Sequence, residues 1–305
     1  MKNPGIIGEL INNSFRRARQ AWKNKDLEAY QHLALLQANA GAEYININID
    51  STQSLSVSYD EMIGFLSKLV PAIQEVTKIP LSFDSAWLGY HETALSHYDF
   101  SRGGVPLINS LSASRDELEK LVFLTGKYDT SVIVMASEKY TPDGECSPCR
   151  NAEEIHHTAQ QFIDLLRKKS GKKNSQIFID PGLAPLAADT MGLINNGLDA
   201  MQLIRQDPDM SGIHLVVGLT NVAWGLPVPI RTPIERAYLA MARKSGLDYV
   251  LASPEKDLFT TDNPLLPGLR SILEAGRIKG HESPEEAGYR QIEGVMDIIS
   301  KYHER

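Results

Sequence analysis

Short β-branched runs alternate with longer amphipathic stretches from one end of this chain to the other, and that alternation limits the architectures open to it. Strands are predicted at Gly5–Glu9, Tyr44–Ile49, Leu81–Asp84, Pro106–Asn109, Ser131–Ala136, Ile177–Asp180, His214–Gly218 and Tyr249–Ala252. Between them apolar residues recur at three and four, as in Leu27, Tyr30, Leu33, Ala34 and Ala38, or Met62, Phe65, Leu66, Leu69 and Ile73, which predicts helices. Further helices are predicted over 117–127, 152–170 and 233–244. Runs such as Ile177-Phe178-Ile179 and Leu215-Val216-Val217 are almost uninterrupted apolar, as in strands covered on both faces. Eight strand-then-helix units read as an α/β fold, a parallel (β/α)8 barrel wrapped by helices. A last helix, 284–303, lies beyond it. Although ~150 residues per domain would divide 305 residues in two, this architecture runs as one domain of about 250. A single domain over 1–305 is therefore expected, with the barrel at about 5–280.

Hydrophobic residues make up 42% of the chain and charged residues 23%, enough apolar material for a large core. The net charge of −7 argues against a nucleic-acid partner, whose phosphates need clustered cations. Arg16-Arg17 and Arg167-Lys168-Lys169 read as solvated helix ends. No apolar run approaches the ~18 residues that span a bilayer, and Pro4 and Glu9 interrupt the N-terminal stretch before a signal-peptide core can form. A cytoplasmic protein without a membrane partner is expected. Two cysteines are too few for a disulfide framework. Cys146 and Cys149, with His156 and His157, allow a zinc site on spacing; without a second Cys pair, and with both His on one helix, no metal is expected.

Polar side chains gather where the strands end: Glu9 and Asn12, then Asn46, Asn48 and Asp50, Asp84, Asn109 and Ser110, Asp180, and Thr220-Asn221. In such a barrel these ends build one cavity. Each Asp or Asn is also a good helix cap, but six ends all so equipped point beyond capping. The ring is rich in amides and carboxylates and poor in cations, with no glycine-rich loop for phosphate. It has no His-x-His pair for a metal. Lys139 is the nearest amine for a Schiff base, and a solvated lysine is the expected role. What remains suits a neutral heterocycle, since a carboxylate matches an N–H/NH₂ edge with two parallel hydrogen bonds.

The motifs Ile7-Gly8-Glu9-Leu10-Ile11-Asn12, Ile47-Asn48, Phe83-Asp84-Ser85, Leu107-Ile108-Asn109-Ser110, Ile179-Asp180-Pro181 and Gly218-Leu219-Thr220-Asn221-Val222 occur in this order at successive strand ends. Together they resemble the pterin-binding barrels, most closely the methyltetrahydrofolate:corrinoid-protein methyltransferases of anaerobic demethylating and acetogenic systems. The resemblance implies that Asp84, Asn109 and Asp180 hold the pterin ring and that Asn221 contacts N5. Asn12, Asn48, Ser110, Gly218 and Arg231 are the further folate-binding positions it suggests. It implies tetrahydrofolate or 5-methyltetrahydrofolate as substrate, a cobalamin (corrinoid) cofactor carried by a partner protein, and a homodimer. The stripe Tyr289, Ile292, Val295, Met296 and Ile299 on the last helix is the candidate interface, or else it closes the barrel of its own subunit. Trp224, beside Asn221, is expected either at the cavity mouth or in the core.

Two alternatives stay open. Dihydropteroate synthase shares the barrel and the Asp180-Pro181-Gly182 stretch. That family, however, carries a Ser-Thr-Arg-Pro-Gly loop where this chain has Asp50-Ser51-Thr52-Gln53-Ser54, and an Arg-x-His end where it has Ala252-Ser253-Pro254. A folate-binding module without chemistry is the other. Methyl transfer from N5 needs a hydrogen bond or proton at N5 as the C–N bond breaks. A neutral Asn can donate there, whereas no residue in the ring has an ordinary pKa suited to direct protonation.

Overall fold

The computed structural model describes residues 2–303 except 142 and 261, so the ends of the 1–305 span lie outside the described residues. Its strands run β1 (Gly5–Asn12), β2 (Tyr44–Asn48), β3 (Leu81–Asp84), β4 (Leu107–Leu111) and β5 (Ser131–Met135), then a hairpin of β6 (Glu138–Tyr140) and β7 (Cys146–Pro148), then β8 (Ile177–Asp180), β9 (His214–Gly218) and β10 (Tyr249–Ala252). All but the hairpin close into one parallel barrel, in the order β1-β2-β3-β4-β5-β8-β9-β10 and back to β1. The helices around it are α1 (Arg16–Asn24), α2 (Leu27–Asn39), α3 (Tyr59–Val76), α4 (Leu88–Ser96), α5 (Phe100–Gly103), α6 (Leu118–Lys127), α7 (Ala152–Ser170), α8 (Leu193–Gln206), α9 (Val228–Ala242), α10 (Leu266–Ala275) and α11 (Pro284–His303). The chain is thus a (β/α)8 barrel with an extra C-terminal helix. None of the described helices is long and apolar enough to cross a membrane.

Strand periodicity of two divides the core. Outward residues such as Ile45, Ile47, Phe83, Ile108, Val132, Ile179 and Val217 pack under the helices. Inward, Ile7, Leu107, Ile133, Phe178 and Val216 form a separate cluster with Tyr44, Tyr249 and Leu251 that plugs the barrel. Two residues further along the same inward faces stand Glu9, Asn46, Asn109, Asp180 and Gly218, joined from β3 by Asp84, two residues beyond Ser82. The barrel therefore has an apolar floor and a polar ceiling.

Local chemistry sets the helix ends. In α7, Asn151 caps the N-terminus by accepting from the Glu154 N–H at 2.8 Å, acidic Glu153 and Glu154 fill the first turn, and Arg167, Lys168 and Lys169 fill the last. Gly171 ends it with a left-handed φ of 65°.

Several expectations change. The first strand does not end at Glu9 but runs to Asn12. Gly8 faces outward, pressed so closely on Gln37 that a Cβ would lie 2.4 Å from its Oε1, and that oxygen accepts from the Leu10 N–H at 2.9 Å. The register with β2 shifts between Gly8 and Ile11, so Glu9 lies inside the barrel, 5% exposed. The stretch holding Cys146 is a hairpin strand and not a plain loop. The helix expected from Pro233 begins at Val228; Pro229 falls in the first turn, where its missing N–H has no helical partner, and Pro233 is accommodated inside.

The stripe on α11 is split. Val295 is buried and Gln291 donates to the Asp189 carbonyl at 3.3 Å, so this face closes on its own barrel, against α10. Tyr289 and Met296 point outward, 64% and 56% exposed.

Candidate functional site at the barrel mouth

Because the barrel strands are parallel, their C-terminal ends share one mouth. Asn46 is the hub on the β2–β4 side. It is fully buried, its Nδ2 donates to Asp84 Oδ2 at 2.8 Å, and its Oδ1 accepts from Ser82 Oγ at 2.9 Å and Asn109 Nδ2 at 3.3 Å. The Asn48 amide also bonds Asp84. Asp50 accepts from Ser85 Oγ at 3.2 Å. On the opposite wall, Asp180 Oδ1 accepts from the Gly182 N–H at 2.8 Å.

Beyond β9 the chain makes a tight 3₁₀ turn, Leu219–Ala223, carrying Thr220 and Asn221. Thr220 Oγ1 donates to Glu9 Oε1 at 2.7 Å, and Trp224 N–H closes the turn on the Asn221 carbonyl at 3.0 Å. Asn221 is exposed toward solvent and Trp224 is 62% exposed, which removes the core-packing role considered for the tryptophan. Trp87 and Tyr59 form an exposed aromatic pair, edge to face at 5.9 Å, in the segments after β3 and β2.

Capping does not account for this ring. The caps of the helices that follow are Phe15 for α1, Trp87 for α4, Glu117 for α6, Gly192 for α8 and Pro227 for α9, all without a side-chain capping bond. The side-chain caps lie at other positions, such as Asp26, Ser58, Asp99 and Asn151. Asn12 and Asn48 are partly engaged locally, accepting from the Ser14 N–H at 2.8 Å and the Asp50 N–H at 3.3 Å. Ser110 meets Arg115, which donates from Nε to its carbonyl at 3.0 Å and from Nη2 to its Oγ at 3.1 Å. Arg231, in the first turn of α9, donates to the Leu226 carbonyl at 2.7 Å and so braces the turn's exit. Arg115 is the cation sequence reading missed: its charge faces Asp84, Asp50 and Glu138, yet it sits in a loop six residues past Asn109, where no periodicity marks it.

Gly218 has a geometric duty: a Cβ there would lie 3.0 Å from Asn221 Nδ2. Gly218→Ala should therefore displace the Asn221 amide with little loss of melting temperature. Crystallography of the variant checks this, and an unmoved amide contradicts it.

Burial raises the site's carboxylates: Glu9 to about 7, Asp50 and Asp180 each to about 6, and Asp84 above its ordinary value. Between pH 4 and 7 the folded chain holds more protons at these groups than the unfolded chain does. Their stabilisation is thus complete below the ordinary carboxylate range and is lost as pH rises through 6 to 7. His91, pushed down to about 4 by burial, opposes with one group. Calorimetry without ligand should show a melting temperature several degrees higher at pH 5 than at pH 8; a flat or rising profile contradicts these environments.

Elsewhere, Lys139 pairs with Glu154, His156 pairs with Asp207 at 2.8 Å, and the Cys149 thiol donates to the Ala136 carbonyl at 3.3 Å. Among the described residues no three of His, Cys, Asp and Glu are grouped to hold a metal.

The chain is 24% identical over 256 residues to the methylcorrinoid:tetrahydrofolate methyltransferase of Eubacterium limosum, covering 82% of this chain and 84% of that one. It is 22% identical over 309 residues to the methionine synthase of Mycobacterium tuberculosis, covering 97% of this chain but 24% of that one. Among solved structures, the 7,8-dihydropteroate synthase of Vibrio fischeri superposes with a TM-score of 0.59 at 17% identity, covering 82% of this chain and 87% of that chain. The synthase of Coxiella burnetii superposes with 0.57 at 17%, covering 90% and 93%. At that identity the likeness speaks for the barrel alone. The model of the pterin binding enzymes matches residues 9–252, from Glu9 in the first barrel strand to Ala252 at the end of the last, and the chain belongs to that family.

Proposed function

We propose that this protein, acting as one barrel domain with its C-terminal helix, moves a methyl group between N5 of tetrahydrofolate and the cobalt of a corrinoid held by a partner protein. The observation that carries the reading is Asn221. It stands at the mouth on a braced turn and caps no helix, which leaves its amide for a ligand. The similarity to the methylcorrinoid methyltransferase supports the same chemistry.

Asp84, Asn109 and Asp180 hold the pterin, with Asn48, Ser110 and Gly218 shaping its surroundings and Asn12 and Arg231 at the rim. The site fits such a ring: buried carboxylates raised toward neutrality can accept from an N–H edge, or donate when protonated. In transfer to cobalt, the Co(I) partner supplies the electron pair that forms the Co–C bond. The C–N5 pair stays on N5, which takes up a proton. Asn221 donates to N5 as that pair develops, and its neutrality makes it cheap to keep beside the substrate.

Dihydropteroate synthase is the weaker reading, because the segments after β2 and β10 lack the arginine-bearing sequences of that family. Binding and turnover separate the readings. Calorimetry should show tetrahydrofolate and 5-methyltetrahydrofolate binding, and a mixture of 4-aminobenzoic acid and a pterin diphosphate should give no condensation. Condensation at enzymatic rates would replace the methyltransferase reading with the synthase.

A cytoplasmic homodimer is the assembly we assign, with outward Tyr289 and Met296 of α11 at the contact. Light scattering at micromolar concentration should give twice the chain mass, falling to a monomer in Tyr289→Lys/Met296→Lys; a monomeric wild type refutes it.

A further inference from the structure

Glu9 is a carboxylate buried inside the barrel, two residues above the apolar floor residue Ile7, and the chemistry above makes no use of it. Its surroundings come from three directions. The Thr220 hydroxyl donates to it at 2.7 Å from the turn past β9, and the Ser253 backbone N–H reaches it from beyond β10. The charged groups that face it are Lys256, also past β10, and Glu235 on α9. Those two are committed to one another, because Lys256 Nζ donates to both Glu235 oxygens at 2.7 Å. Among the described residues Glu9 therefore has no cation of its own, and its one side-chain hydrogen bond holds the residue next to Asn221.

We propose that Glu9 is a positioning residue: from inside the barrel its carboxylate anchors the 219–223 turn through Thr220 and so fixes where the Asn221 amide points. This rests on the methyl-transfer reading for its kinetic consequence, but the anchoring itself does not. The turn is a five-residue 3₁₀ helix seated in the core by buried Leu219, Val222 and Ala223, with Trp224 N–H bonded to the Asn221 carbonyl, which leaves Thr220 and Asn221 as its polar residues. Gly218 behind it offers no side chain to hold the amide in place. A side-chain bond from β1, two strands round the barrel and 211 residues away in sequence, ties the polar side of the turn to the barrel interior.

The anchor also changes strength with pH. Burial lifts Glu9 to about 7, while the Thr220 and Ser253 hydrogen bonds and Lys256 pull it down. A hydrogen bond to the ionised form is roughly twice as strong as one to the neutral form. The turn should thus be held more firmly above pH 7 than below it.

Kinetics and a spectroscopic titration on variants of Glu9 and Thr220 test this. Glu9→Gln keeps an oxygen for Thr220 but cannot ionise. The ratio of wild-type to Glu9→Gln turnover should be near 1 at pH 6 and roughly 10 at pH 8, with KM for 5-methyltetrahydrofolate unchanged. Thr220→Val should lose about 10-fold in kcat at pH 8, and Thr220→Ser, which keeps the hydroxyl, should restore it. A pH-independent ratio, or a Thr220→Val enzyme with wild-type kcat, overturns the proposal.

The second readout needs no activity. The Trp224 indole N–H resonance, assigned by its loss in Trp224→Phe, should titrate with a midpoint near 7 in the wild type and stay fixed in Glu9→Gln. A resonance that titrates alike in both sinks the anchor, whatever the kinetics. A wild type that transfers no methyl group, yet shows the Glu9-dependent titration, would discard the methyltransferase reading and leave the anchor standing. Melting temperatures of all variants within a few degrees of wild type confirm that the comparison is made on folded protein.

Discussion

Asn221→Ala should lower methyl transfer on the order of 10²-fold or more, the scale for removing one preorganised donor, while affinity for 5-methyltetrahydrofolate falls by a smaller factor. The asymmetry follows from when the bond matters. N5 of the bound substrate carries little extra charge, so the amide contributes little to ground-state binding. As the C–N5 bond stretches, electron density builds on N5 and the same donor gains strength. A residue that only held the pterin would lose binding and rate equally. The melting temperature should stay close to wild type, because α9 is capped at Pro227 and not by Asn221. Stopped-flow turnover and calorimetry on one variant resolve both quantities, and wild-type turnover at saturating folate would remove Asn221 from the mechanism.

Asp180→Ala should weaken tetrahydrofolate binding by about 2–3 kcal/mol, close to 10²-fold, because it leaves a buried N–H edge of the pterin without an acceptor. Asp180 is suited to this because it sits on the inward face two residues beyond Phe178, within the apolar-floored cavity, and among the described residues only the Gly182 N–H is bonded to its Oδ1. Its carboxyl, lifted to about 6, is ionised at pH 8 but largely protonated at pH 5. If the charged form is the acceptor, affinity of the wild type should decline as pH falls through 6, and the variant should show no such inflection. Calorimetric affinity within twofold of wild type at pH 8 would reject the assignment.

The barrel was legible because its strands are β-branched and covered on both faces, so they stand out from helices whose apolar residues recur at three and four. The polar ceiling was legible for the same reason: Asp84, Asn109 and Asp180 each interrupt an apolar run at its end. Glu9 misled at that point. A charged residue after Ile6-Ile7-Gly8 reads as the end of a strand, but in a closed barrel the inward face can stay polar while the strand continues to Asn12. The hairpin strands at 138–140 and 146–148 carried little signal, since Glu-Lys-Tyr and Cys-Ser-Pro are three residues each and hold no β-branched residue.

Long-range pairings were hidden altogether. Nothing in the spacing of Glu9 and Thr220, or of Asn46 and Asn109, shows that they meet, because barrel closure and register bring them together. Whether an Asp or Asn at a strand end caps a helix is likewise a matter of backbone geometry. Here the helices begin several residues later and use other caps.

The central claim is methyl transfer between folate and cobalt, and absorbance spectroscopy tests it most directly. Under anaerobic, reducing conditions the protein is mixed with 5-methyltetrahydrofolate and free Co(I) cobalamin. The account predicts that the Co(I) spectrum is replaced by that of methylcobalamin, at a rate proportional to protein concentration and on the order of 10²-fold slower with Asn221→Ala. A Co(I) spectrum that persists unchanged, in protein that binds 5-methyltetrahydrofolate by calorimetry, would contradict it.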